Sequence, residues 1–354
     1  MLKYALGMDV SKKDIHVCLS VIDSRQQVKV KASSKFGNNI NGFRSLTAWL
    51  DRHKKEPDIP LVNVIEATGV YYEACALFLF KAGLDVVVVL PNKAKKYLQA
   101  LGLKSKNDNI DAAGLARMGA EQCLELWQPM NEFFYTLRAM TRHHQALQEL
   151  RTSIHNQIHA DEHSIYSIKS IIKQNKKLKI TIDKQLREIE QNIYDHLYSN
   201  DEVAQKLNHI TELKGLGYMT VATILAETNG FVLFKSTSQL VSYAGYDIIE
   251  NQSGSRSGKT KISKKGNSRI RRALHLPAFN MIRYEVGNFK SFFERVLSKH
   301  NQKMKAYVAV QKKLLVIIYT LWKRNEAFDP YLLTSEQAAS SLAGSVGKNT
   351  VAPA

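Results

Sequence analysis

The order of apolar segments in the first third of the chain constrains its fold more than any other feature. Three apolar segments joined by short polar turns come first, at residues 4–10, 15–22 and 27–32. Turns this short join antiparallel neighbours, so the pattern predicts a three-stranded meander. Helix and strand patterns then alternate: helix 43–50, strand 61–65, helix 72–81, strand 86–90 and a last helix that contains residues 108–111. Asn39 or Asn41 can cap the first of these helices. This order predicts an α/β domain.

Four acids interrupt or end these segments. Asp9 lies in the first strand, Glu66 closes the fourth, and Asp108 and Asp111 are three residues apart on the last helix, so they share one helix face. Acids in apolar strands cost free energy unless they are paired. A hard divalent cation such as Mg²⁺, with Mn²⁺ as an alternative, takes carboxylate oxygens and keeps positions open for phosphate. The four acids therefore predict a metal site.

Each acid also has a structural alternative. Asp9 can form a turn with Ser11, Glu73 or Asp85 can take the place of Glu66, and Asp108 can cap its helix and leave Asp111 as the ligand. The element order favours the metal site. Three antiparallel strands followed by helix, strand, helix, strand and helix are the order of the ribonuclease H and RuvC type of fold. In that fold the first strand, the fourth strand and the last helix bring their acids together.

The charge of the chain predicts a polyanionic partner. Its 354 residues include 50 Lys and Arg against 32 Asp and Glu, which gives a net charge of +18. Nucleic acid is the first candidate and an anionic membrane surface the second. The longest apolar run, at 314–322, is too short to span a bilayer, so no membrane partner is expected. The three cysteines, Cys18, Cys75 and Cys123, have no metal-binding spacing and are interpreted as core residues of a protein in a reducing compartment.

The middle of the chain is predicted to be a long helical hairpin or coiled coil. Residues 130–214 contain neither glycine nor proline and repeat apolar residues at steps of three and four. The polar run 173–177 is the predicted bend. His155, His159 and His163 lie four residues apart and are interpreted as a polar helix face rather than a zinc site. The aromatic residues 71–72 and 133–135 are interpreted as core residues rather than base-stacking groups.

From residue 207 a second, mainly helical domain is predicted. The segment 209–222 has the pattern of a helix-hairpin-helix element, in which Lys214, Gly215 and Gly217 lie where backbone amides and a helix N-terminus can bind a DNA phosphate. The predicted domains are residues 1–128, 129–206 and 207–330, followed by a mobile tail at 331–354.

The strongest run of one-sided charge lies between residues 251 and 284, where no acid occurs. Its front half, 252–258, sets serines beside glycines, and its back half becomes a cationic helix. Phosphate is the expected counterpart of such a run. The basic residues proposed to bind nucleic acid are Arg256, Lys259, Lys261, Lys264, Lys265, Arg269, Arg271 and Arg272.

These residues together resemble those of the DEDD insertion-sequence transposases, which are recombinases guided by a structured bridge RNA. The resemblance extends from Gly7 to about Tyr284 and is carried by the motifs at 7–12, 66–69, 106–112, 252–254 and 262–267. It implies a RuvC-like domain that holds Mg²⁺, a coiled coil for assembly, and a transposase domain whose Ser253 attacks DNA. It also implies that the acids of one subunit work with the serine of another. One departure is Lys106-Asn107-Asp108 in place of Lys-Thr-Asp, which should change helix capping more than metal binding.

The resulting hypothesis is an RNA-guided DNA recombinase. Its catalytic residues would be Asp9, Glu66, Asp108, Asp111 and Ser253, although Ser255, Ser257 and Ser263 lie in the same basic stretch. Its expected partners are double-stranded donor and target DNA, a structured guide RNA and further copies of the chain in a dimer or tetramer. The expected location is the bacterial or archaeal cytoplasm, at the nucleoid. The alternatives are a metal-dependent junction or RNA endonuclease that uses water, and a non-enzymatic RNA-binding assembly protein.

Overall fold

The computed structural model describes residues 1–102, 107–249, 252–253, 256–257 and 261–328. The chain divides into two compact units, one ending at Pro129 and the other beginning at Met130. Each unit is described by itself. The predicted tail at 331–354 lies outside the described residues.

The first unit is built on a mixed five-stranded sheet. Its strands are β1 Lys3–Val10, β2 Asp14–Ile22, β3 Val28–Gly37, β4 Leu61–Glu66 and β5 Val86–Val89, in the order β3-β2-β1-β4-β5. β2 is antiparallel to both of its neighbours, whereas β1, β4 and β5 are parallel. The predicted element order is confirmed. The prediction that β3 ends at Ala32 is wrong, because the polar residues that follow continue to pair with β2 as far as Gly37.

Four helices cover the two faces of this sheet. They are α1 Ile40–His53, α2 Glu73–Lys81, α3 Pro91–Ala100 and α4 Asp108–Glu121. The Oδ1 atom of Asn39 accepts hydrogen bonds from the first turn of α1, which confirms one of the two predicted caps. Leu6 and Met8 pack with α1 and α2, and the intervening residues of β1 face α4. This alternation is the two-residue period of a strand.

Gly7 allows α4 to lie directly on the sheet. A Cβ atom at residue 7 would lie 2.1 Å from the backbone oxygen of Ala112 and 2.2 Å from the backbone nitrogen of Ala116. Only a residue without a side chain fits this approach. Gly7 therefore sets the distance between β1 and the helix that carries Asp108 and Asp111.

The second unit begins with a helical hairpin formed by α5 Glu132–Glu162 and α6 Lys169–Tyr198. Three ion pairs join the arms in antiparallel register, His144–Glu190, Arg151–Asp183 and Glu162–Lys176. The predicted bend at 173–177 is wrong, since these residues lie inside α6. Lysine and glutamine are good helix formers, and Lys176 faces the first arm, so the run continues the helix.

The remaining elements of the second unit are mainly helical, as predicted. The helices are α7 Asp201–Thr211, α8 Tyr218–Thr228, α9 Thr237–Tyr243, α10 Ser268–Ala273, α11 His275–Arg283, α12 Phe289–His300 and α13 Lys303–Arg324. Leu137, Ile193 and Leu197, at the base of the hairpin, share one core with these helices. The separate coiled-coil domain at 129–206 therefore stays a prediction.

The prediction that all three cysteines are core residues holds for two of them. Cys18 and Cys75 are buried free thiols, and burial raises the pKa of Cys75 to about 12. Cys123 is exposed, so its assignment to a core is wrong. No helix in the described part of the chain has the length and apolar character needed to cross a bilayer.

Candidate functional site

The C-terminal ends of β1 and β4 bring Asp9 and Glu66 to one edge of the sheet. The two strands are in parallel register up to Met8 and Ile65, one residue before each acid. Gly7 and Val64, two residues earlier in their strands, both face α4. Because side chains two apart in a strand share a face, Asp9 and Glu66 lie on the α4 side of the sheet. Both are partly buried.

Asp108 and Asp111 lie in the first turn of α4, which begins at this same edge. The cap is Asn107, whose Oδ1 atom accepts the Ile110 N–H at 2.8 Å. Asp108 is therefore not the cap, and the Asn that stands in place of Thr in the motif is the capping residue. Lys106 of the same motif lies outside the described residues. Asp108 is one turn before Ala112, which lies over β1, so the acid lies toward β1 and β2.

Asp111 lies one turn before Leu115, which shares a hydrophobic cluster with Val64 of β4. On this face of the helix we expect Asp111 on the β4 side of Asp108. Asp85, one of the alternatives to Glu66, lies before the first residue of the parallel strand β5 and so belongs to the opposite edge. We name Asp9, Glu66, Asp108 and Asp111 the acid corner.

His16 is a further member of this edge that the sequence pattern did not reveal. Its backbone is registered opposite Asp9 in the antiparallel pair β1–β2. Its Nε2 atom is 3.4 Å from Oδ2 of Asp108, and its Nδ1 atom is 3.0 Å from Oδ1 of Asn109. The only signal in the sequence is a polar residue facing inward in an apolar strand. His16 therefore joins β2 to the start of α4.

The acid corner has the right donors for Mg²⁺, since all four side chains offer hard carboxylate oxygens. Among the described residues, however, no three His, Cys, Asp or Glu side chains form a group that could hold a metal ion. Asp108 is directed to His16, and its side chain is 64% exposed. The donor atoms fit the metal, and we expect an ion to draw these four side chains together when it binds.

Ser253 lies in a nested hairpin of the second unit, which we name the serine hairpin. Its outer pair is β6 Ile248–Ile249 with β9 Lys261–Ile262, and its inner pair is β7 Gln252–Ser253 with β8 Arg256–Ser257. Ser253 is registered opposite Arg256. Of these inner residues the structure describes the backbone, and Ser255 and Lys259 lie outside the described residues. The predicted nucleophile is thus next to a predicted phosphate-binding residue in backbone register.

The basic residues after the serine hairpin have different surroundings. Lys261, Lys264 and Lys265 are exposed. Arg271 donates to the backbone oxygens of Ala244 at 2.7 Å and of Lys264 at 3.3 Å, so it ties α10 to the chain that enters and leaves the hairpin. Two of the five N–H donors of Arg271 make these bonds. Arg271 thus has a structural role in joining these segments, whereas its binding to nucleic acid stays a prediction.

The predicted helix-hairpin-helix element has the expected helices. α7 ends at Thr211, and α8 begins after Gly217, its N-cap. Gly215 has a φ of +94°, and a Cβ atom there would lie 2.8 Å from Cβ of Asn280, so glycine is required for both reasons. Lys214 is exposed and lies over the ring of Tyr284 at 5.2 Å. DNA binding by this element stays a prediction.

Glu227 is a second residue that sequence reasoning missed. It is the one acid in the otherwise apolar helix α8, and its side chain is 1% exposed. Its carboxylate accepts from Nε and Nη2 of Arg142 at 2.7 and 2.9 Å and from Nδ2 of Asn267 at 2.7 Å. Burial raises its pKa, but these bonds and the Arg142 charge outweigh burial and hold the pKa below its usual value.

Glu227 also determines how the cationic helix begins. Asn267, bound through its amide nitrogen to Glu227, uses Oδ1 to cap α10 by accepting from the N–H groups of Arg269 and Ile270. The Nε atom of Arg269 lies 3.9 Å from the Glu227 carboxylate. One buried acid therefore fixes α5, α8 and the start of α10. An acid inside an apolar helix was the signal that could have revealed it.

The remaining candidate residues take structural roles. His159 and His163 stack at 4.3 Å, and the described histidines belong to no metal-binding group. Phe133 stacks on His196 at 4.2 Å, and Phe134 packs against the core of the second unit. Tyr71 and Tyr135 are exposed. The interpretation as core residues thus fits the two phenylalanines and is wrong for these two tyrosines.

Two family models match the chain. A DEDD transposase model of the IS110 type, described as a transposase, matches residues 6–161, and the model described as the transposase IS116/IS110/IS902 family matches residues 207–294. Together they include both the acid corner and the serine hairpin. The chain belongs to the IS116/IS110/IS902 transposase family. The resemblance found in the motifs is thereby confirmed at the level of the family.

Relatives of this transposase-family chain match nearly their whole length. The pilin gene-inverting protein of Moraxella bovis is 28% identical over 333 residues, which cover 93% of this chain and 98% of the relative. The transposase for insertion sequence element IS1328 of Yersinia enterocolitica is 22% identical over 351 residues, which cover 91% and 98%.

Two solved structures are similar to about a third of the chain. Thermus thermophilus RuvC in complex with a Holliday junction substrate is 12% identical, with a TM-score of 0.27, and covers 35% of this chain and 99% of that chain. The Fowlpox virus resolvase in complex with Holliday junction DNA is 19% identical, with a TM-score of 0.25, and covers 33% and 97%. At these TM-scores, the assignment of a RuvC-type sheet rests on strand order and direction.

Proposed function

We propose that this chain cuts and rejoins DNA strands for transposition, with Ser253 as the nucleophile and Mg²⁺ held by the acid corner. The observation that supports the proposal is that β1 and β4 end, and α4 begins, at one edge of the sheet, and these three elements carry the four acids. The family match over residues 207–294, which include the serine hairpin, supports recombination over simple hydrolysis.

The covalent step exchanges one phosphodiester for another. The Oγ atom of Ser253 attacks the phosphorus, the bond from phosphorus to the 3′ oxygen breaks, and a 5′-phosphoserine link and a 3′-hydroxyl result. The proton lost by the serine balances the proton gained by the 3′ oxygen. In the joining step a 3′-hydroxyl of the exchanged strand attacks the phosphoserine and releases the serine. The phosphodiester energy is kept, so no ATP is consumed.

The residues of the chain divide the remaining tasks. Asp9, Glu66, Asp108 and Asp111 would hold the metal, which when bound supplies positive charge to the attacking and leaving oxygens. Lys261, next to the inner hairpin, is exposed and suited to bind a DNA phosphate. The serine belongs to the second unit and the acids to the first. We propose that the acids of one subunit act with the serine of another.

A structured guide RNA is the further part of this proposal. The net charge of +18 and the uninterrupted basic stretch support a second polyanion besides DNA. The RNA that copurifies with the protein should be one structured species with two loops complementary to donor and target DNA. Random fragments would contradict the guided mechanism and leave the proposed cutting chemistry untouched.

The test of the chemistry is strand exchange by matched variants. Ser253→Ala should abolish exchange, whereas Ser257→Ala, in the same hairpin, should retain it. Asp9→Asn should abolish exchange with DNA binding kept, whereas Asp51→Asn, at an exposed position of α1, should change neither. Undiminished cleavage by Ser253→Ala would identify a water-dependent nuclease, which the acid corner alone would also support. Unchanged activity of Asp9→Asn and Asp111→Asn would identify a non-enzymatic assembly protein.

A further inference from the structure

A cleft of about 220 Å³, which several polar and charged residues line, lies within the second unit, between α5 on one side and α8 and α10 on the other. Gln145 lines its α5 wall, and Thr220 lies at the start of α8, where the helix dipole favours an anion. Three arginines, one from α5 and two from α10, complete it: Arg142, Arg269 and Arg272. We name this the arginine cleft.

The arginine cleft has a fixed floor. The buried Glu227 carboxylate holds the guanidinium of Arg142 with two hydrogen bonds, and through Asn267 it fixes the start of α10. Arg269 is 3.9 Å from the same carboxylate. A guanidinium held by two hydrogen bonds, as that of Arg142 is, needs little ordering when it binds an anion, so less conformational entropy is lost. One buried carboxylate balances one of the three cations and leaves the lining positive.

The rim of the cleft carries an exchangeable ion pair. Arg272 of α10 donates to the Glu149 carboxylate of α5, and both side chains are 55% exposed. Glu149 also accepts from Nε2 of Gln145. These bonds from Gln145 and Arg272 hold the pKa of Glu149 below its usual value, so it is an anion near neutral pH. An ion pair this exposed is weak, and a phosphate can offer Arg272 a bidentate partner instead.

We propose that the arginine cleft binds a backbone phosphodiester of a nucleic acid, which replaces Glu149 as the partner of Arg272. The proposal rests on the proposed function, because it assumes a nucleic-acid substrate, but it adds a site built from residues other than the serine and the acids. DNA and RNA present the same phosphodiester. The choice of probe distinguishes them.

The test compares binding by two pairs of charge-matched variants. Arg272→Gln is matched with Arg295→Gln, and Glu149→Gln with Glu294→Gln, since residues 294 and 295 are exposed on α12 and do not line the cleft. Fluorescence anisotropy is measured in EDTA, so that no cleavage occurs, with a fluorescein-labelled DNA duplex and separately with a labelled RNA hairpin, over a series of salt concentrations.

Arg272→Gln should weaken binding about threefold to tenfold and reduce the slope of log K against log salt by about one on duplex DNA. Glu149→Gln should strengthen binding by more than Glu294→Gln does, because it removes the competitor of the phosphate. A purely structural ion pair predicts instead that both cleft variants weaken binding or neither changes it. An effect with only one probe assigns the cleft to that nucleic acid, and an effect with both assigns the shared phosphodiester.

Equal effects of Arg272→Gln and Arg295→Gln would overturn the arginine cleft, whether or not strand exchange occurs. Failure of the unmodified protein to bind either probe would overturn both this inference and the proposed function. Loss of strand exchange in Ser253→Ala with the cleft effects intact would support both. The binding measurement can therefore contradict the arginine cleft without contradicting the proposed function, and the exchange measurement can do the reverse.

Discussion

The Nε2 atom of His16 lies 3.4 Å from the Oδ2 atom of Asp108, which joins the second strand of the sheet to the first turn of α4. The contact directs Asp108 to β2. Asp111, three residues further on, lies one turn before Leu115, which shares a hydrophobic cluster with Val64 of β4. The two aspartates of the motif therefore have different surroundings.

This difference predicts a graded effect on metal binding. Asp9→Asn and Asp111→Asn should each weaken Mn²⁺ binding by about tenfold or more, because each removes a carboxylate ligand at the edge of the sheet. Asp108→Asn should weaken it by about threefold or less, since its side chain is 64% exposed and contacts His16. Isothermal titration calorimetry of the full chain measures all three. An Asp108→Asn effect as large as that of Asp9→Asn would contradict the gradation.

Gly7→Ala should severely destabilise the first unit. The added Cβ atom would lie 2.1 Å from a backbone oxygen of α4, so the helix must move as a whole. Overpacking against backbone costs about 3 kcal/mol or more at such a site. Gly217→Ala is the control, because a Cβ atom there meets nothing within 4 Å and should cost about 1 kcal/mol or less. Urea unfolding measures the free energy of unfolding of both variants, and equal destabilisation would contradict the close approach of α4 to Gly7.

The buried Glu227 predicts a stability difference that depends on pH. Glu227→Gln should destabilise the second unit by about 2 kcal/mol near neutral pH, less than for a fully buried pair because Arg142 is 41% exposed. The pKa of Glu227 in the folded chain lies below its usual 4.5. Its contribution is therefore complete above that value and is lost as the pH falls through the folded pKa.

Unfolding free energies of wild type and Glu227→Gln, measured from neutral pH down to about pH 3, should thus converge as the pH falls below the usual pKa of 4.5. Glu188→Gln is a matched control, because Glu188 is exposed and its pair with Lys184 is long, at 3.6 Å. Its difference from wild type should stay near zero throughout. A Glu227→Gln difference that grew as the pH fell would contradict the sign of the pKa shift.

The proposed division of labour between subunits predicts complementation. Asp9→Asn and Ser253→Ala should each be inactive alone, because each lacks one half of the site. A mixture allowed to exchange subunits should recover strand exchange at up to about a quarter of the wild-type sites if the assembly is a dimer. Strand exchange is measured on linear donor and target DNA. A mixture that stays inactive despite verified subunit exchange would contradict action between subunits.

The sequence was sufficient to predict the sheet and the elements that carry the four acids. Apolar alternation in β1 and β4 is a local property, and an acid at the end of each strand follows from the same pattern. The helix that carries Asp108 and Asp111 was also predicted, although its cap is Asn107 rather than the Asp108 considered from the sequence. These features depend on neighbours within a few residues, so the sequence alone indicates them.

The contacts that the sequence could not indicate join segments that are far apart along the chain. Arg142 and Glu227 are 85 residues apart, and Asn267 is 40 residues beyond Glu227. His16 lies 93 residues before Asn109. The bend of the hairpin was misplaced for the related reason that Lys176 faces the opposite arm, and its partner Glu162 comes earlier in the chain. Tertiary pairing outweighed local composition in each case.

The central claim is that Ser253 forms a covalent bond with DNA, and peptide mass spectrometry of the trapped adduct tests it most directly. The protein is incubated with Mg²⁺ and donor DNA, denatured, and digested with nuclease and protease. We expect a nucleotide attached through a 5′ phosphate to Ser253, and no adduct in Asp9→Asn or Ser253→Ala. Efficient cleavage without any adduct, or an adduct at Ser257 or Ser263 instead, would contradict the claim.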